Sequence, residues 1–532
     1  MAATVTQLRL PAEAALLRRL ALIFDAVMAR VEAAGRHRVA AIAGVFIFSL
    51  LLRVAGALVL PHPVAGVDDE FCNLLAGDTF ASGRLANPQH PMWPFFESLH
   101  VLVHPVYASK YPPAQGVFLA LGQKVFGDPA AGVYLSVALL GAAICWALQA
   151  WVSPGWALLG GVFTALTFGP GHYWTETYWG GAVAALGGAL LIGSFARRSA
   201  RLWPAGFSLG ALFLLNSRPF EGGVLVACFG VAAMIDPARR RRLASLLVCG
   251  GAVIALMALY NWRVTGHAWL MPYALYQSEY GPAPTLWILP AKLAPAYGYP
   301  DLERVFRHFL GEWEMIRAWS WPRRTQMLLM RLVLVLAWGV GPCALIPVLF
   351  APLARASRQL KLLAAVAAVS AIAALLDVSL FVHYVAPLIS VLIVLSFLVL
   401  CRLSRMRGTD PFAAKAISAV LLTAMLAWPV IQMARALPGS DVTLYRPQSR
   451  MDRYNIEQQI TNTPGRHVIL VRYGRNRDFE WVYNGATIDA QRVIWAHDLG
   501  DDRDRALMNY YPGRRFWRVL VDTPRTTVTP LR

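Results

Sequence analysis

Long apolar runs recur between residues 39 and 434, broken by short polar loops. Most have the length of about 17 to 25 residues that a helix needs to cross a hydrocarbon core. The pattern predicts spans near 39–60, 130–151, 154–170, 179–196, 203–217, 221–235, 243–262, 326–351, 362–380, 385–402 and 414–434. A further apolar segment at 113–127 reaches only about 22 Å as a helix. That is short of a core of about 30 Å, so this segment is expected not to span. Together the runs predict a polytopic α-helical membrane protein with about 11–13 transmembrane helices.

Beyond residue 440 the pattern changes. "HVILVRY", "EWVYNG", "RVIWAHDL" and "FWRVLVD" are short β-branched and aromatic runs that predict strands. "YNIEQQI" and "DRALMNYY" predict helices. The expected organisation is an N-terminal segment at 1–38, a membrane domain at 39–438 with polar loops at 61–112 and 263–325, and a small α/β domain at 439–532.

Composition agrees with the membrane assignment: 57% of the 532 residues are hydrophobic and 15% charged, with a mean hydropathy of +0.48. Soluble chains carry nearer one charge in four. The net charge of +19 is not a nucleic-acid signature. It concentrates in short loops, "RRSAR" at 197–201, "RRRR" at 239–242, "RASRQLK" at 355–361 and "RLSRMR" at 402–407. That is the positive-inside pattern, which also binds lipid headgroups. Residues 1–38, rich in Arg and Glu, lack the short apolar core and cleavage site of a signal peptide and are expected to be cytoplasmic. The loops 61–112 and 263–325 and the C-terminal domain then share the outer face. None of the six cysteines forms a CxxC pair, which argues against a disulfide framework or a zinc site.

Candidate chemistry lies on that outer face. In "GVDDEFCNLLAGDTFASGRL", Asp68, Asp69 and Glu70 follow the first span. Phe71, Leu74 and Leu75 recur at helical spacing, predicting an amphipathic helix at the interface. The acids serve either as a base near headgroup level or only as favourable charge at a helix N-terminus. In "SKYPPAQGVFLALG", Lys110 sits before two prolines. It is either a fixed cation for a phosphate or a snorkelling lysine. "HYWTETYWGG" carries Glu176 and Tyr178 among aromatics, which suits either sugar contact or an interface belt. "NSRPFEGG" places Arg218 and Glu221 at a tight turn, as a mutual pair or with Arg218 on a phosphate. "DVSLFVHYVAP" puts His383 and Tyr384 at a span mouth. The 263–325 loop, rich in Tyr and Pro and including Glu279, is a lid, an acceptor groove or a passive loop. Trp481, Tyr483, Trp495 and Trp517 in the tail suit core packing or an acceptor cleft.

An acidic pair after the first span, an interfacial helix ending in "GRL" and a lysine near a double proline resemble the GT-C membrane glycosyltransferases. The similarity is to the protein O-mannosyltransferase and lipid A aminoarabinose transferase types. It implies a bacterial inner-membrane enzyme with its site on the periplasmic side. Such an enzyme moves a sugar from a polyprenyl-phosphate donor to a glycan, lipid or protein acceptor, with inversion. By this resemblance Asp69 is the base, with Asp68 as the rival for that role. Lys110 holds the phosphate, with Tyr111, Arg218, His383 and Tyr384 beside it. Asp68, Glu70 and Glu176 position the acceptor or a metal, and Tyr178 and Glu279 join the acceptor side. Relatives place their cation directly before the prolines, where this chain has Tyr111. A divalent cation is left open. No nucleotide cofactor is expected, since no Walker or Rossmann glycine pattern occurs. Two alternatives stand beside this one: a lipid-linked sugar flippase or transporter, and a non-catalytic partner in envelope polysaccharide assembly.

Overall fold

The computed structural model describes residues 12–197, 201–352, 357–406, 411–436, 448–475, 480–522 and 525–531. Arg198, Arg355 and Arg407 of the basic loops and the domain boundary at 438–439 lie outside the described residues. The chain is a polytopic α-helical membrane protein with a small C-terminal α/β domain. By length and composition, five described helices suffice to cross a membrane: Arg38–Ala57, Pro129–Leu148, Leu243–Thr265, Ala386–Leu403 and Phe412–Arg435. Trp321–Val340 and Pro342–Leu349 form a sixth candidate, bent by 116°.

Other predicted spans are shorter helices. Pro154–Thr167, Gly181–Ala196, Trp203–Leu215 and Pro219–Ile235 hold 14, 16, 13 and 17 residues. The apolar run at 326–351 is not one rod. Gly341, at φ 83°, breaks it beside Pro342, because only glycine takes that backbone conformation cheaply. The segment at 113–127 is a helix of 13 residues, Ala114–Phe126.

Helix Ala386–Leu403 is buried along nearly all its length and forms the centre of the bundle. Small residues let its neighbours close in, as in other membrane helix pairs. A Cβ on Gly132 would stand 1.9 Å from the Phe118 carbonyl oxygen, so helices Pro129–Leu148 and Ala114–Phe126 cross almost backbone to backbone. Helix Ala12–Gly35 packs across the starts of two other helices. Phe24 meets Trp156, and Lys415 pairs with Asp25 at 2.6 Å.

The acidic helix, Asp68–Ala81, differs from expectation. It is not amphipathic: Glu70, Cys72, Asn73, Leu75, Ala76, Gly77, Thr79 and Ala81 are buried around its whole circumference. The C-terminal domain and a short hairpin (Val101–Leu102 with Val106–Ser109) cover the sides that were expected to face solvent or headgroups.

The C-terminal sheet has four strands. His467–Tyr473 lies between Val493–His497 and Arg515–Val521, all parallel, and Thr527–Leu531 adds an antiparallel edge. Thr527–Leu531 was not foreseen. "EWVYNG" was expected as a strand but runs outside the sheet. Helices Gln448–Thr461 and Asp501–Tyr510 occupy the predicted places. One apolar cluster joins Cys72, Leu75, Phe95 and Phe96 to Val468, Leu470 and Tyr483, so the domain and the first polar loop share a core.

Candidate active site

The first turn of the acidic helix carries three carboxylates with three destinations. Glu70 turns back and inward. Its Oε2 accepts from the Gly66 and Val67 amides at 3.1 and 3.3 Å, and its Oε1 from the Tyr178 amide at 3.2 Å. It is fully buried and lines neither of the two cavities described below, so the structure places Glu70 behind the site rather than in it. Asp68 accepts from the Tyr483 hydroxyl of the C-terminal domain at 3.1 Å. Asp69 faces open space, with its side chain 21% exposed.

Two groups converge on one oxygen of Asp69. The Tyr111 hydroxyl donates to Oδ1, and His100 Nε2 lies 3.3 Å from the same atom. Among the described residues nothing donates to Oδ2, which leaves that oxygen for an incoming hydroxyl. His100 has φ 67°, a left-handed conformation unusual for a residue with a Cβ. Backbone strain of this kind clusters at functional sites. Burial, with Lys110 nearby, holds the imidazole well below its usual range, so it is neutral.

His100 and Lys110 flank the hairpin ladder, and the Lys110 amide donates to the His100 carbonyl at 3.0 Å. Lys110 Nζ stands 5.1, 4.9 and 4.9 Å from the ring centres of Tyr111, Tyr273 and Tyr276. A cation held by ring faces alone is only partly compensated for lost water. Burial accordingly lowers its pKa to about 8, against the opposing pull of Asp69. Among the described residues Nζ has no ion-pair partner. Pro112 and Pro113 fix the chain before helix Ala114–Phe126 begins.

Arg218 caps the turn into helix Pro219–Ile235, where the proline suits the first helical position. The guanidinium lies 4.1 Å over the Tyr384 ring. It does not bond Glu221, the expected partner. Glu221 instead shares a cavity wall with Asp377.

These residues border two cavities. One, of about 430 Å³, is lined by Asp68, Asp69, His100, Lys110, Tyr111 and Tyr384, among others. The other, of about 440 Å³, is lined by Arg218, Glu221, Met271 and Leu289, among others. Tyr111, Tyr273, Thr285, Asp377 and Tyr384 belong to both walls. A narrow space of about 20 Å³ touches both Asp69 and Arg218, room for about one water. The 263–325 loop supplies Tyr273, Gln277, Phe306 and Phe309, so it is a wall of the site.

The structure therefore brings Asp68, Asp69, Lys110, Tyr111, Arg218 and Tyr384 together. It places four other candidates elsewhere, besides Glu70. Glu176 pairs with Arg53 at 2.8 Å, and Arg53 also donates to Tyr134 at 2.6 Å. A buried cation within a span needs such a partner. Tyr178 is buried and donates to the Pro63 carbonyl at 3.1 Å. His383 sits behind Tyr384, with Nδ1 2.8 Å from the Tyr173 hydroxyl. Glu279 faces His104 at 3.7 Å, away from both cavities. His100, Tyr273 and Asp377 line the site without having been singled out as members of it. A histidine ten positions before Lys110 in an alternating apolar stretch was the available signal for His100. Among the described residues, no three His, Cys, Asp or Glu side chains converge closely enough to hold a metal ion.

Neither a family model nor a curated protein matches the chain. Solved structures do. The oligosaccharyltransferase of Archaeoglobus fulgidus, crystallised with zinc and sulfate, is 14% identical at a TM-score of 0.48, over 90% of this chain and 67% of that one. ArnT from Cupriavidus metallidurans is 13% identical at a TM-score of 0.45, over 92% of this chain and 93% of that one. ArnT crystallised with undecaprenyl phosphate matches at the same identity and score, over 91% and 92%. At these identities the likenesses assign no role to any residue of this chain.

Proposed function

We propose that the chain is a membrane glycosyltransferase that moves a sugar from a polyprenyl-phosphate donor to an acceptor hydroxyl on the outer face of the membrane. One observation carries this reading. Asp69 stands with one oxygen unbonded in a cavity wall that also carries Lys110, and a narrow space joins it to Arg218. The cavity that carries Arg218 suits the first isoprenes of a lipid donor. The one that carries Asp69 and Lys110 suits the sugar-phosphate end of that donor and the acceptor.

The chemistry follows from the placement. Asp69 Oδ2 takes the acceptor proton as the hydroxyl attacks the anomeric carbon. The bond to the lipid phosphate breaks on the opposite side, inverting the centre. Lys110 and Arg218 offset the charge left on that phosphate, more strongly because the walls exclude water. Tyr111, kept protonated by burial and by Asp69, holds the base in its rotamer. The aminoarabinose-type and O-mannosyltransferase-type resemblance supports the donor class. The pairing of Arg53 with Glu176 removes one of the unpaired intramembrane charges a transporter would use.

The test is complementation of a deletion strain, with mass analysis of polyprenyl-linked and envelope glycans. The wild-type gene is expected to restore both. Asp69→Asn is expected to leave a lipid-linked sugar accumulating and an acceptor short of one sugar. Full restoration by Asp69→Asn at normal protein level would overturn the assignment.

A further inference from the structure

The C-terminal domain reaches into the carboxylate cluster through one segment, 480–485. This segment is held extended without joining the sheet. Asn484 takes the place of a strand neighbour: its Nδ2 donates to the Trp495 carbonyl at 2.8 Å and its Oδ1 accepts from the Trp495 amide at 2.9 Å. Glu480 accepts from the Trp481 and Val482 amides, both at 3.0 Å. Arg453 donates to the Trp481 and Tyr483 carbonyls at 3.0 and 3.2 Å.

So fixed, the segment delivers Tyr483 to the site. Its ring stacks on Phe71 at 4.6 Å with an 8° tilt. The Arg453 guanidinium lies 4.5 Å from the Phe71 ring, completing the clamp. The Tyr483 hydroxyl lies 3.1 Å from Asp68 Oδ1 and 3.0 Å from the Leu99 carbonyl. Asp68 precedes the proposed base and Leu99 precedes His100. One buried hydroxyl thus touches both chain segments that meet at Asp69. Burial and the Asp68 carboxylate keep the phenol protonated, so it remains a donor.

We infer that Tyr483 is a positioning residue for the transfer reaction, and that the C-terminal domain is a working part of the catalytic site. The inference rests on the glycosyltransferase reading. Through Tyr483 the domain holds Asp68, and with it the first turn of the acidic helix, against the segment that carries His100. Anything that shifts the domain, such as a bound acceptor, then shifts the base.

The experiment uses the full chain, purified as wild type, Tyr483→Phe, Tyr483→Ala and Asp69→Asn. Each is added to membranes of the deletion strain, which hold the accumulated donor and acceptor. Initial rates are followed by mass spectrometry across pH, with melting temperatures measured in parallel. Tyr483→Phe keeps the ring stack and removes only the hydroxyl. It is expected to melt near the wild-type temperature and to lose about 10- to 100-fold in rate, the scale of one buried hydrogen bond to a charged group. Its acid limb is expected to move to higher pH, because a first turn released from Tyr483 carries Asp69 away from its Tyr111 donor, and a carboxylate that loses a donor is protonated more easily. Tyr483→Ala is expected to melt lower as well. A Tyr483→Phe protein with the wild-type rate and an unmoved acid limb overturns the inference. So does a loss that is uniform across pH and tracks the fraction unfolded. If Asp69→Asn is inactive while Tyr483→Phe is normal, this inference fails alone. If Asp69→Asn is itself active, the transferase reading fails first.

Discussion

Replacing Lys110 with Gln removes a cation whose surroundings make its effect calculable. The ammonium sits among three tyrosine rings at about 5 Å, with no ion-pair partner among the described residues. If it meets the donor phosphate, its loss forfeits a charge-assisted hydrogen bond of about 1.5–3 kcal/mol. At ~1.4 kcal/mol per decade this is about a 10- to 150-fold fall in kcat/KM for the donor. The pH dependence is more diagnostic. Burial lowers the Lys110 pKa to about 8, so the free enzyme carries the cation below that pH and loses it above. Wild-type kcat/KM is expected to fall about tenfold per pH unit past this point. Lys110→Gln is expected to lack that limb, and so is Lys110→Arg, whose guanidinium stays charged. Stability moves the other way. Between about 8 and the ordinary 10.5 the unfolded chain binds the proton that the fold refuses, so stability rises with pH by on the order of 3 kcal/mol. The Lys110 titration itself therefore stabilises the fold across the window in which activity falls. Lipid-donor turnover against pH, with melting at each pH, checks both signs. An alkaline limb that persists unchanged in Lys110→Gln refutes the reasoning.

Two further predictions concern positions outside the cavities. Glu176→Gln leaves Arg53 buried without its counter-charge, which costs about 3–5 kcal/mol; melting is expected to drop sharply while turnover per folded molecule stays near wild type. Gly132→Leu inserts a side chain where even a Cβ would meet the Phe118 carbonyl at 1.9 Å; detergent-solubilised protein is expected to lose its folded, monodisperse fraction, whereas Gly230→Ala, with open space around its Cβ, is expected to behave as wild type.

The parts of this site legible from sequence are those written locally. The acids, the lysine and the prolines fall within 45 residues, and hydrophobic period alone located most helices. What stayed hidden depends on long-range contact. Tyr483 meets Asp68 across 415 positions and Tyr111 meets Asp69 across 42. No spacing reports such a meeting. Glu176 stays open in the sequence because an ionisable group at membrane depth signals either function or a partner, and its partner lies 123 positions away in Arg53. The acidic helix was expected to be amphipathic because covering by another domain leaves no periodic mark. "EWVYNG" has strand composition, yet the Asn484 side chain satisfies Trp495 in place of a backbone neighbour.

The three acids of the first helical turn are not interchangeable. Glu70 anchors the turn to the Tyr178 segment, Asp68 engages the C-terminal domain, and Asp69 faces the cavities. An α-helix advances about 100° per residue. Inserting a single residue directly after Glu70, inside the packed helix, would therefore rotate all three carboxylates away from their partners together, without changing the composition of the motif. Register, more than the number of acidic residues, is what any transplant of this turn into another scaffold has to preserve.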